Sequence, residues 1–183
     1  MSIIVLIGPS GSGKDTIGYK LAKMGIPQLV SFTTRDMRPG EVHGEDYYFV
    51  DEEQLKILDI VEQTEYSGNK YGLLKSEVDR SLEKNKNVYF IANADGARQI
   101  QRMYPGEVVP FWLEADAKLM RIRMYNRGDS EENIQERISH AMDNGELEEP
   151  KGIRELKVLI ANNTPEDLVR LVIYTLKRRG FYE

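Results

Sequence analysis

The stretch that decides the fold is "IIVLIGPSGSGKDTI", residues 3–17. It begins as a run of aliphatic residues typical of a buried strand, continues as a glycine-rich loop ending in Lys14, and enters a helical pattern. The segment from Gly8 to Lys14 matches GxxxxGK, in which backbone N–H groups and the start of the helix face one cavity and the lysine reaches the outer phosphates. The alternative is a turn that binds nothing, but a turn has no need of a lysine beside a buried strand. We therefore predict a phosphate-binding loop.

Composition predicts one globular domain. With 183 residues and 40% apolar content, the chain can bury one substantial core. It has no cysteine, which excludes disulfides, thiolate catalysis and sulfur-ligated zinc. The apolar run at residues 3–8 is too short to cross a bilayer, and the net charge of −5 argues against general nucleic-acid binding. We expect a cytoplasmic protein that binds neither membrane nor nucleic acid.

The order of the apolar segments predicts an α/β fold. Five β-branched stretches alternate with helical patterns, which indicates a parallel sheet covered by helices on both faces. They lie at residues 2–7, 28–31, 87–92, 108–113 and 157–161. Together with the phosphate loop they predict the three-layer P-loop NTPase fold around a five-stranded parallel sheet.

Two regions break this alternation. Residues 31–84 mix short strands with turns and predict a small mixed α/β subdomain inserted into the core. Residues 123–145 are highly charged, with Gly128 interrupting a helical pattern, and predict a helical lid. The core would then consist of residues 1–30, 85–122 and 146–183.

Four further segments carry a family resemblance. They are "SFTTRDMRPGEVHGEDYYFV" (31–50), "YSGNKYG" (66–72), "NRGDSEENIQERI" (126–138) and "VLIANN" (158–163). With the loop, they resemble guanylate kinases, which share the run SxTTRxxRPGExxGxDYxFV and a similar SGNxYG turn. The resemblance covers nearly the whole chain. It implies Mg²⁺-dependent transfer of the γ-phosphoryl group of ATP to GMP or dGMP by a monomer or homodimer, with the inserted subdomain binding GMP.

The resemblance also assigns the acceptor site. It places the phosphate of GMP on Arg35, Arg38, Tyr47 and Tyr71. It places the guanine, or its surroundings, at Ser31, Glu62, Gly72 and Asn93. Guanidinium and phenol groups suit a phosphate dianion, and a carboxylate can accept from both N1–H and N2–H of guanine, whereas adenine presents an acceptor at N1. The alternatives are a solvated turn for the arginines, ordinary packing for the tyrosines and a surface position for Glu62.

The donor site follows from the loop and the lid. ATP is predicted to contact Gly8, Pro9, Ser10, Gly11, Ser12, Gly13, Lys14, Asp15 and Thr16, with Asn162 near adenine. The GMP phosphate oxygen is already anionic, so we expect positioning and charge neutralisation rather than a general base. By resemblance, Lys14, Arg35, Arg127 and Arg137 carry that role. The alternative for the lid arginines is a solvent-facing helix paired with its glutamates.

Several positions depart from the family pattern. Asp15 stands where most loops carry a hydroxyl that ligates Mg²⁺, and Asn93, in "FIANADG" (90–96), stands where the family usually has an acid. We hypothesise an exchange in which Asp15 holds Mg²⁺ through water; the alternative is that Asp15 only favours the first helical turn. Leu73 replaces a hydroxyl near guanine O6, which predicts weaker discrimination for guanine.

Two other functions stay open. Ribose 1,5-bisphosphate phosphokinases share the "GKD" run and an Asn near this strand end, so that activity, or a broader (d)NMP kinase, is the enzymatic alternative. Arg38 and Tyr47 favour GMP. A non-catalytic guanylate-kinase-like module that binds protein partners is a third possibility. Such modules typically lose the phosphate loop, and Gly13 with Lys14 argues against it.

Overall fold

Two sheets and the helices around them make up the computed structural model, which describes residues 1–66 and 68–182. The strands are β1 Ser2–Ile7, β2 Phe32–Thr33, β3 Tyr48–Phe49, β4 Ile60–Tyr66, β5 Asn69–Leu74, β6 Asn87–Ile91, β7 Val108–Glu114 and β8 Lys157–Ile160. The helices are α1 Lys14–Lys23, α2 Glu52–Leu55, α3 Lys75–Lys84, α4 Ala94–Met103, α5 Ala117–Asn126, α6 Glu131–Asp143 and α7 Pro165–Arg178.

The larger sheet has the order β6-β1-β7-β8, and every pairing in it is parallel. All six residues of β1 are buried, because successive side chains of a strand point to opposite faces and both faces are covered. Ile3 and Val5 pack into a cluster with side chains of α3 and α4, whereas Ile4 and Leu6 pack into a cluster with α1 and α7. The three-layer α/β architecture is therefore confirmed.

The predicted fifth strand of this sheet is reduced to one bridge. Gln28 alone pairs, in parallel, with Tyr89 of β6. Hydrogen bonds flank the bridge, from Leu29 N–H to the Tyr89 carbonyl and from Tyr89 N–H to the Pro27 carbonyl, at 2.8 and 2.9 Å. Val30 N–H lies on the other side of the segment, away from β6, and donates to the side chain of Glu77 in α3 at 3.1 Å. The prediction of five strands was wrong in this respect: the sheet has four.

A second sheet is built from residues within the segment 31–84. Its order is β3-β2-β5-β4; β2 and β3 are parallel, and the other pairs are antiparallel. β4 packs against α4: Gln63 N–H donates to the side chain of Gln99 at 3.3 Å, and Asn93, just before α4, donates to the hydroxyl of Thr64 at 3.3 Å. The small sheet thus rests against the carboxyl edge of the large one, where parallel α/β sheets bind ligands.

The helices α5 and α6 pack on each other within and beside the segment 123–145. Met120 and Met124 of α5 and Ile134 and Ile138 of α6 share one buried cluster. The side chain of Ser130 accepts from Asn133 N–H and caps α6. Across the part of the chain that the structure describes, every helix is too short or too polar to span a bilayer.

Candidate active site

The phosphate loop joins β1 to α1 in the conformation that its glycines allow. Gly11 and Gly13 have φ angles of 77° and 106°, a region that residues with side chains rarely adopt. The ammonium of Lys14, the first residue of α1, donates to the carbonyls of Gly8 and Pro9 at 2.6 and 2.8 Å. Burial lowers the pKa of Lys14 below its usual value, although neighbouring carboxylates partly oppose this. The loop therefore holds a partly desolvated cation against two backbone carbonyls.

A cavity of about 440 Å³ opens beside this loop. It is lined by Ser10, Gly11, Ser12, Gly13, Lys14, Asp15, Thr16, Ile17, Arg123, Met124, Arg127, Arg137, Pro165 and Leu168. The hydroxyl of Ser12 is buried and has no hydrogen-bond partner among the described residues. Asp15 and Thr16 are exposed at the wall. The structure thus brings the loop and both predicted lid arginines to one cavity, whose volume suits a nucleotide-sized ligand.

The lid arginines differ in what they contact. Arg127 forms an ion pair with Asp129 and is otherwise exposed. Arg137 donates to the hydroxyl of Ser10 at 3.4 Å, which links α6 to the loop. Asn162 is exposed in the turn between β8 and α7, three residues before the cavity-lining Pro165.

Arg123 is a site residue that sequence reasoning passed over in favour of Arg127 and Arg137. Its guanidinium donates to the carbonyl of Ser12 at 2.6 Å and to that of Ala161 at 2.5 Å, and burial lowers its pKa. It therefore joins α5, the phosphate loop and the end of β8. The signal in the sequence was the four-residue spacing between Arg123 and Arg127, which puts both on one face of a helix.

The arginine predicted to hold the GMP phosphate is fixed by a carboxylate. Arg35 donates through both terminal nitrogens to Glu41, at 2.8 and 3.0 Å, and the pair is partly buried. Its guanidinium lies over the rings of Tyr47 and Phe49, 5.5 and 5.6 Å from their centres. The backbone N–H of Arg38 also donates to Glu41, at 2.7 Å. Sequence reasoning missed Glu41, although it stands in the same turn as both arginines.

The two predicted phenols lie beside this pair. The rings of Tyr47 and Tyr71 pack edge to face with centres 6.1 Å apart. The hydroxyl of Thr33 accepts from Arg35 N–H at 3.1 Å, which fixes the backbone of the loop that follows β2. Arg35, Tyr47 and Tyr71 therefore form one cluster at the edge of the small sheet, and Arg38, whose side chain is exposed, is tied to it through Glu41.

Glu62 lies buried on β4 with no partner. It is 4% exposed, and no described residue donates a hydrogen bond to its carboxylate or places a cation beside it. Burial raises the pKa of Glu62 from 4.5 to about 7. A β-carbon placed on Gly96 would lie 2.8 Å from the Glu62 carboxylate, so the acid reaches the start of α4. An unpaired acid in this position is arranged to accept donors from a ligand.

The remaining predicted acceptor residues have structural partners. Gly72 admits no side chain, because an added β-carbon would lie 2.2 Å from the Glu62 carbonyl. The backbone carbonyl of Ser31 accepts from Tyr48 N–H at 2.8 Å. Asn93 caps α4: its side-chain oxygen accepts from Gly96 N–H at 2.8 Å, and its amide nitrogen donates to Thr64 at 3.3 Å.

Among the side chains that line the cavity, the carboxylate of Asp15 is a suitable ligand for magnesium. This acid occupies the first turn of α1 and its side chain is exposed on the cavity wall. A carboxylate oxygen is a ligand that Mg²⁺ prefers, and Mg²⁺ usually combines one or two carboxylates with water and substrate phosphates. No cluster of three His, Cys, Asp or Glu side chains that could hold a metal occurs in the described part of the chain. A metal here would therefore depend on phosphate oxygens of the nucleotide.

Comparison with known proteins identifies the relatives of this chain. A family model described as "Guanylate kinase" matches residues 1–178. The guanylate kinase of Trichodesmium erythraeum is 36% identical over 175 residues, which cover 92% of this chain and 91% of that protein. A guanylate kinase of Thermus thermophilus is 34% identical over 97% of this chain and 82% of its own length.

Comparison with solved structures also finds a guanylate kinase. The crystal structure of guanylate kinase from Anaplasma phagocytophilum matches with a TM-score of 0.63 and 26% identity, covering 97% of this chain and 85% of that one. A gluconokinase from Sinorhizobium meliloti, 18% identical with a TM-score of 0.51 over 97% of this chain and 91% of its own, shares the fold alone.

Proposed function

This chain belongs to the guanylate kinase family, and we propose that its loop cavity and its small-sheet cluster hold the two nucleotides end to end. Its reaction is that of the family, transfer of the γ-phosphoryl group of ATP to GMP, giving ADP and GDP. What we propose is which residues carry out the reaction, how the metal is held and which acceptors are used.

On the donor side, backbone N–H groups of the loop and the ammonium of Lys14 bind the phosphates of ATP. The contacts run from Gly8 to Thr16, and Asn162 lies near adenine. The cavity beside the loop and the unpaired hydroxyl of Ser12 support this assignment. Mg²⁺, held through Asp15 and water, would neutralise charge on the phosphates when bound.

On the acceptor side, Arg35, Arg38, Tyr47 and Tyr71 bind the GMP phosphate as charge-assisted donors. Glu62 accepts from N1–H and N2–H of guanine, and Ser31, Gly72 and Asn93 shape the space around the base. None of these contacts is assigned to the ribose 2′-hydroxyl, so dGMP is expected to be an acceptor too.

Catalysis in this arrangement is positioning and charge neutralisation. The attacking oxygen of GMP is already an anion, so no side chain has to remove a proton. Lys14, Arg127 and Arg137 surround the transferred group from the donor side, and Arg35 orients the attacking phosphate from the acceptor side. Both lid arginines are exposed: Arg127 pairs only with its neighbour Asp129, and Arg137 already donates to Ser10 of the loop, so both can reach the phosphates.

The organisation follows from these roles. Residues 31–84 form the GMP-binding subdomain and 123–145 the lid, on a core of 1–30, 85–122 and 146–183. We place the enzyme in the cytoplasm, as a monomer or homodimer with no nucleic-acid or membrane partner.

The observation that carries the acceptor assignment is the buried, unpartnered carboxylate of Glu62. The test is ADP release with a panel of acceptors: GMP, dGMP, IMP, AMP and ribose 1,5-bisphosphate. GMP and dGMP should react fastest, IMP more slowly because it lacks the 2-amino group, and AMP least. A Lys14→Met variant controls for contaminating kinases. Faster turnover of ribose 1,5-bisphosphate or AMP than of GMP would contradict the assignment.

A further inference from the structure

A second buried carboxylate, that of Glu77, lies in the first turn of α3 beside the small sheet. Its side chain is buried, and the residue is 3% exposed. Its Oε1 accepts from the N–H of Val30 and from the hydroxyl of Ser81, both at 3.1 Å. Its Oε2 accepts from the hydroxyl of Tyr48 at 2.9 Å and from the guanidinium of Arg80 at 2.5 Å. Both oxygens are therefore fully occupied by donors of the protein itself.

These donors keep the carboxylate charged without a ligand. Burial acts to raise the pKa of Glu77, but its hydrogen bonds, the strongest of them from Arg80, outweigh burial and hold the pKa below the usual value. Glu62 is the opposite case, because no residue that the structure describes donates to it and burial raises its pKa. Glu62 is thus arranged to meet a ligand, whereas Glu77 is arranged to hold parts of the protein together.

The donors of Glu77 belong to two segments that carry predicted acceptor residues. Val30 directly precedes Ser31. Tyr48, the first residue of β3, directly follows Tyr47. The N–H of Tyr48 also donates to the carbonyl of Ser31 at 2.8 Å, which joins the two segments to each other. One carboxylate therefore fixes the backbone on both sides of the acceptor site.

The strand β3 has one side toward α3 and the other toward the acceptor cluster, because successive side chains of a strand point to opposite sides. On one side, the rings of Tyr47 and Phe49 have their centres 5.5 and 5.6 Å from the guanidinium carbon of Arg35. On the other side, Tyr48 reaches Glu77. A shift of Tyr48 would therefore move the two rings against which the guanidinium packs.

The helix α3 connects this arrangement to the large sheet. Val78 and Leu82 of α3 pack into one buried cluster with side chains of β1 and β6. Val78, the neighbour of Glu77 in sequence, is completely buried. Because β1 leads directly into the phosphate loop, α3 is held in place relative to the donor cavity. Glu77 is thus the polar contact between a helix fixed on the core and the strand that carries the acceptor cluster.

We propose that Glu77 is a positioning residue of the kinase reaction, which through Tyr48 sets the distance between the acceptor cluster around Arg35 and the loop cavity. This inference rests on the proposed acceptor site. Weakening the contact leaves the GMP phosphate less firmly held and less well aligned with the γ-phosphoryl group, which lowers the rate. The ATP site is built from other elements and keeps its affinity.

The test is steady-state kinetics of two variants with GMP varied at saturating ATP, and with ATP varied at saturating GMP. Tyr48→Phe removes one hydroxyl. Glu77→Gln keeps an oxygen that can accept from Val30 N–H but removes the charge that holds Arg80. Each variant should raise the KM for GMP about fivefold or more and lower kcat, while the KM for ATP stays within about twofold. Because both variants break the same contact, the double variant should match the more affected single variant within about twofold.

A matched control and thermal melts separate positioning from stability. Glu83→Gln makes the same change at an exposed position of α3 and should leave both KM values unaltered. All assays are run well below the melting temperature of each variant. A purely structural role would lower the melting temperature without changing the KM for GMP of the folded enzyme, so that result overturns the proposal.

Arg35→Met distinguishes failure of this inference from failure of the acceptor assignment. If Arg35→Met raises the KM for GMP and Tyr48→Phe does not, the positioning role of Glu77 is wrong while the acceptor site stands. The role is also wrong if the effects of the two variants simply add, or if the KM for ATP rises as much as that for GMP. If Arg35→Met leaves the KM for GMP unchanged, the acceptor site itself is wrong, and the role of Glu77 falls with it.

Discussion

Replacing Glu62 by glutamine should change the stability of the free enzyme and its affinity for GMP in opposite directions. The substitution keeps the shape of the side chain but removes its ionisation. In the free protein the carboxylate is buried without a donor, so its negative charge is unfavourable there. In the proposed complex the same charge accepts two N–H groups of guanine. One change should therefore stabilise the free protein and weaken GMP binding.

The size of the stability effect follows from the pKa. Folding raises the pKa of Glu62 from 4.5 to about 7, so between these pH values the folded state binds more protons than the unfolded state. The contribution of Glu62 to the free energy of unfolding is therefore full below pH 4.5 and falls as the pH rises through 7. The shift corresponds to about 3 kcal/mol. At pH 8, Glu62→Gln should raise the melting temperature by roughly 6–10 °C, and near pH 4.5 the difference should vanish.

The effect on binding has the opposite sign. At pH 8 the variant loses charge-assisted hydrogen bonds and turns an amide donor toward guanine donors, which should raise the GMP dissociation constant about 30- to 100-fold. In the wild type, GMP affinity should fall by about tenfold per pH unit below 7, because the acid must lose its proton to bind. The phosphate of GMP also titrates, with a second pKa of about 6, but the variant shares that titration.

Calorimetric titration with GMP and thermal melts, each from pH 4.5 to pH 8, supply both readouts. Glu65→Gln is the matched control, because Glu65 lies exposed on the same strand, β4. It should change neither the melting profile nor the binding profile. If Glu62→Gln lowers the melting temperature at pH 8, or if its GMP binding follows the same pH curve as the wild type, the reasoning fails.

Three further predictions concern the same reaction. Asp15→Ser should reduce turnover by tenfold or more at fixed Mg²⁺, and adding Asn93→Asp should restore part of it; losses that simply add would refute the exchange of the metal carboxylate. Glu41→Gln should raise the KM for GMP several-fold with little change in the KM for ATP, because it frees Arg35 from its bidentate partner; the exposed Glu45→Gln is its control, and equal effects would contradict the positioning role. Leu73→Ser should increase the preference for GMP over AMP in competition assays, because guanine carries O6 where adenine carries an amino group, and an unchanged ratio would count against a role in base discrimination.

The fold could be predicted where pattern and burial coincide. β1 is apolar on both faces because helices cover both faces, and this strand could be predicted from the aliphatic run at residues 3–7 alone. The phosphate loop could also be predicted from local sequence, since its glycines adopt backbone angles that other residues avoid. These features depend on neighbours in sequence.

What could not be predicted depends on contacts distant in sequence. The strand expected at residues 28–31 forms only one bridge, and the neighbouring Val30 N–H donates to Glu77, forty-seven residues later. The role of Arg123 arises from the carbonyls of Ser12 and Ala161, which only the tertiary structure brings to it. Glu41 differs, because it meets Arg35 only six residues away and was missed although the contact is local. The raised pKa of Glu62 reflects how deeply β4 packs against α4, which its sequence alternation does not reveal.

The contacts of Lys14 bear on how quickly and tightly the donor nucleotide engages. Its ammonium already leaves bulk water during folding, since the carbonyls of Gly8 and Pro9 solvate it in place of water. In the proposed donor site, an incoming triphosphate would therefore swap one set of oxygen acceptors for another and strip little hydration from the cation. The ammonium thus loses water during folding rather than during nucleotide binding. This favours binding but lowers the stability of the nucleotide-free protein.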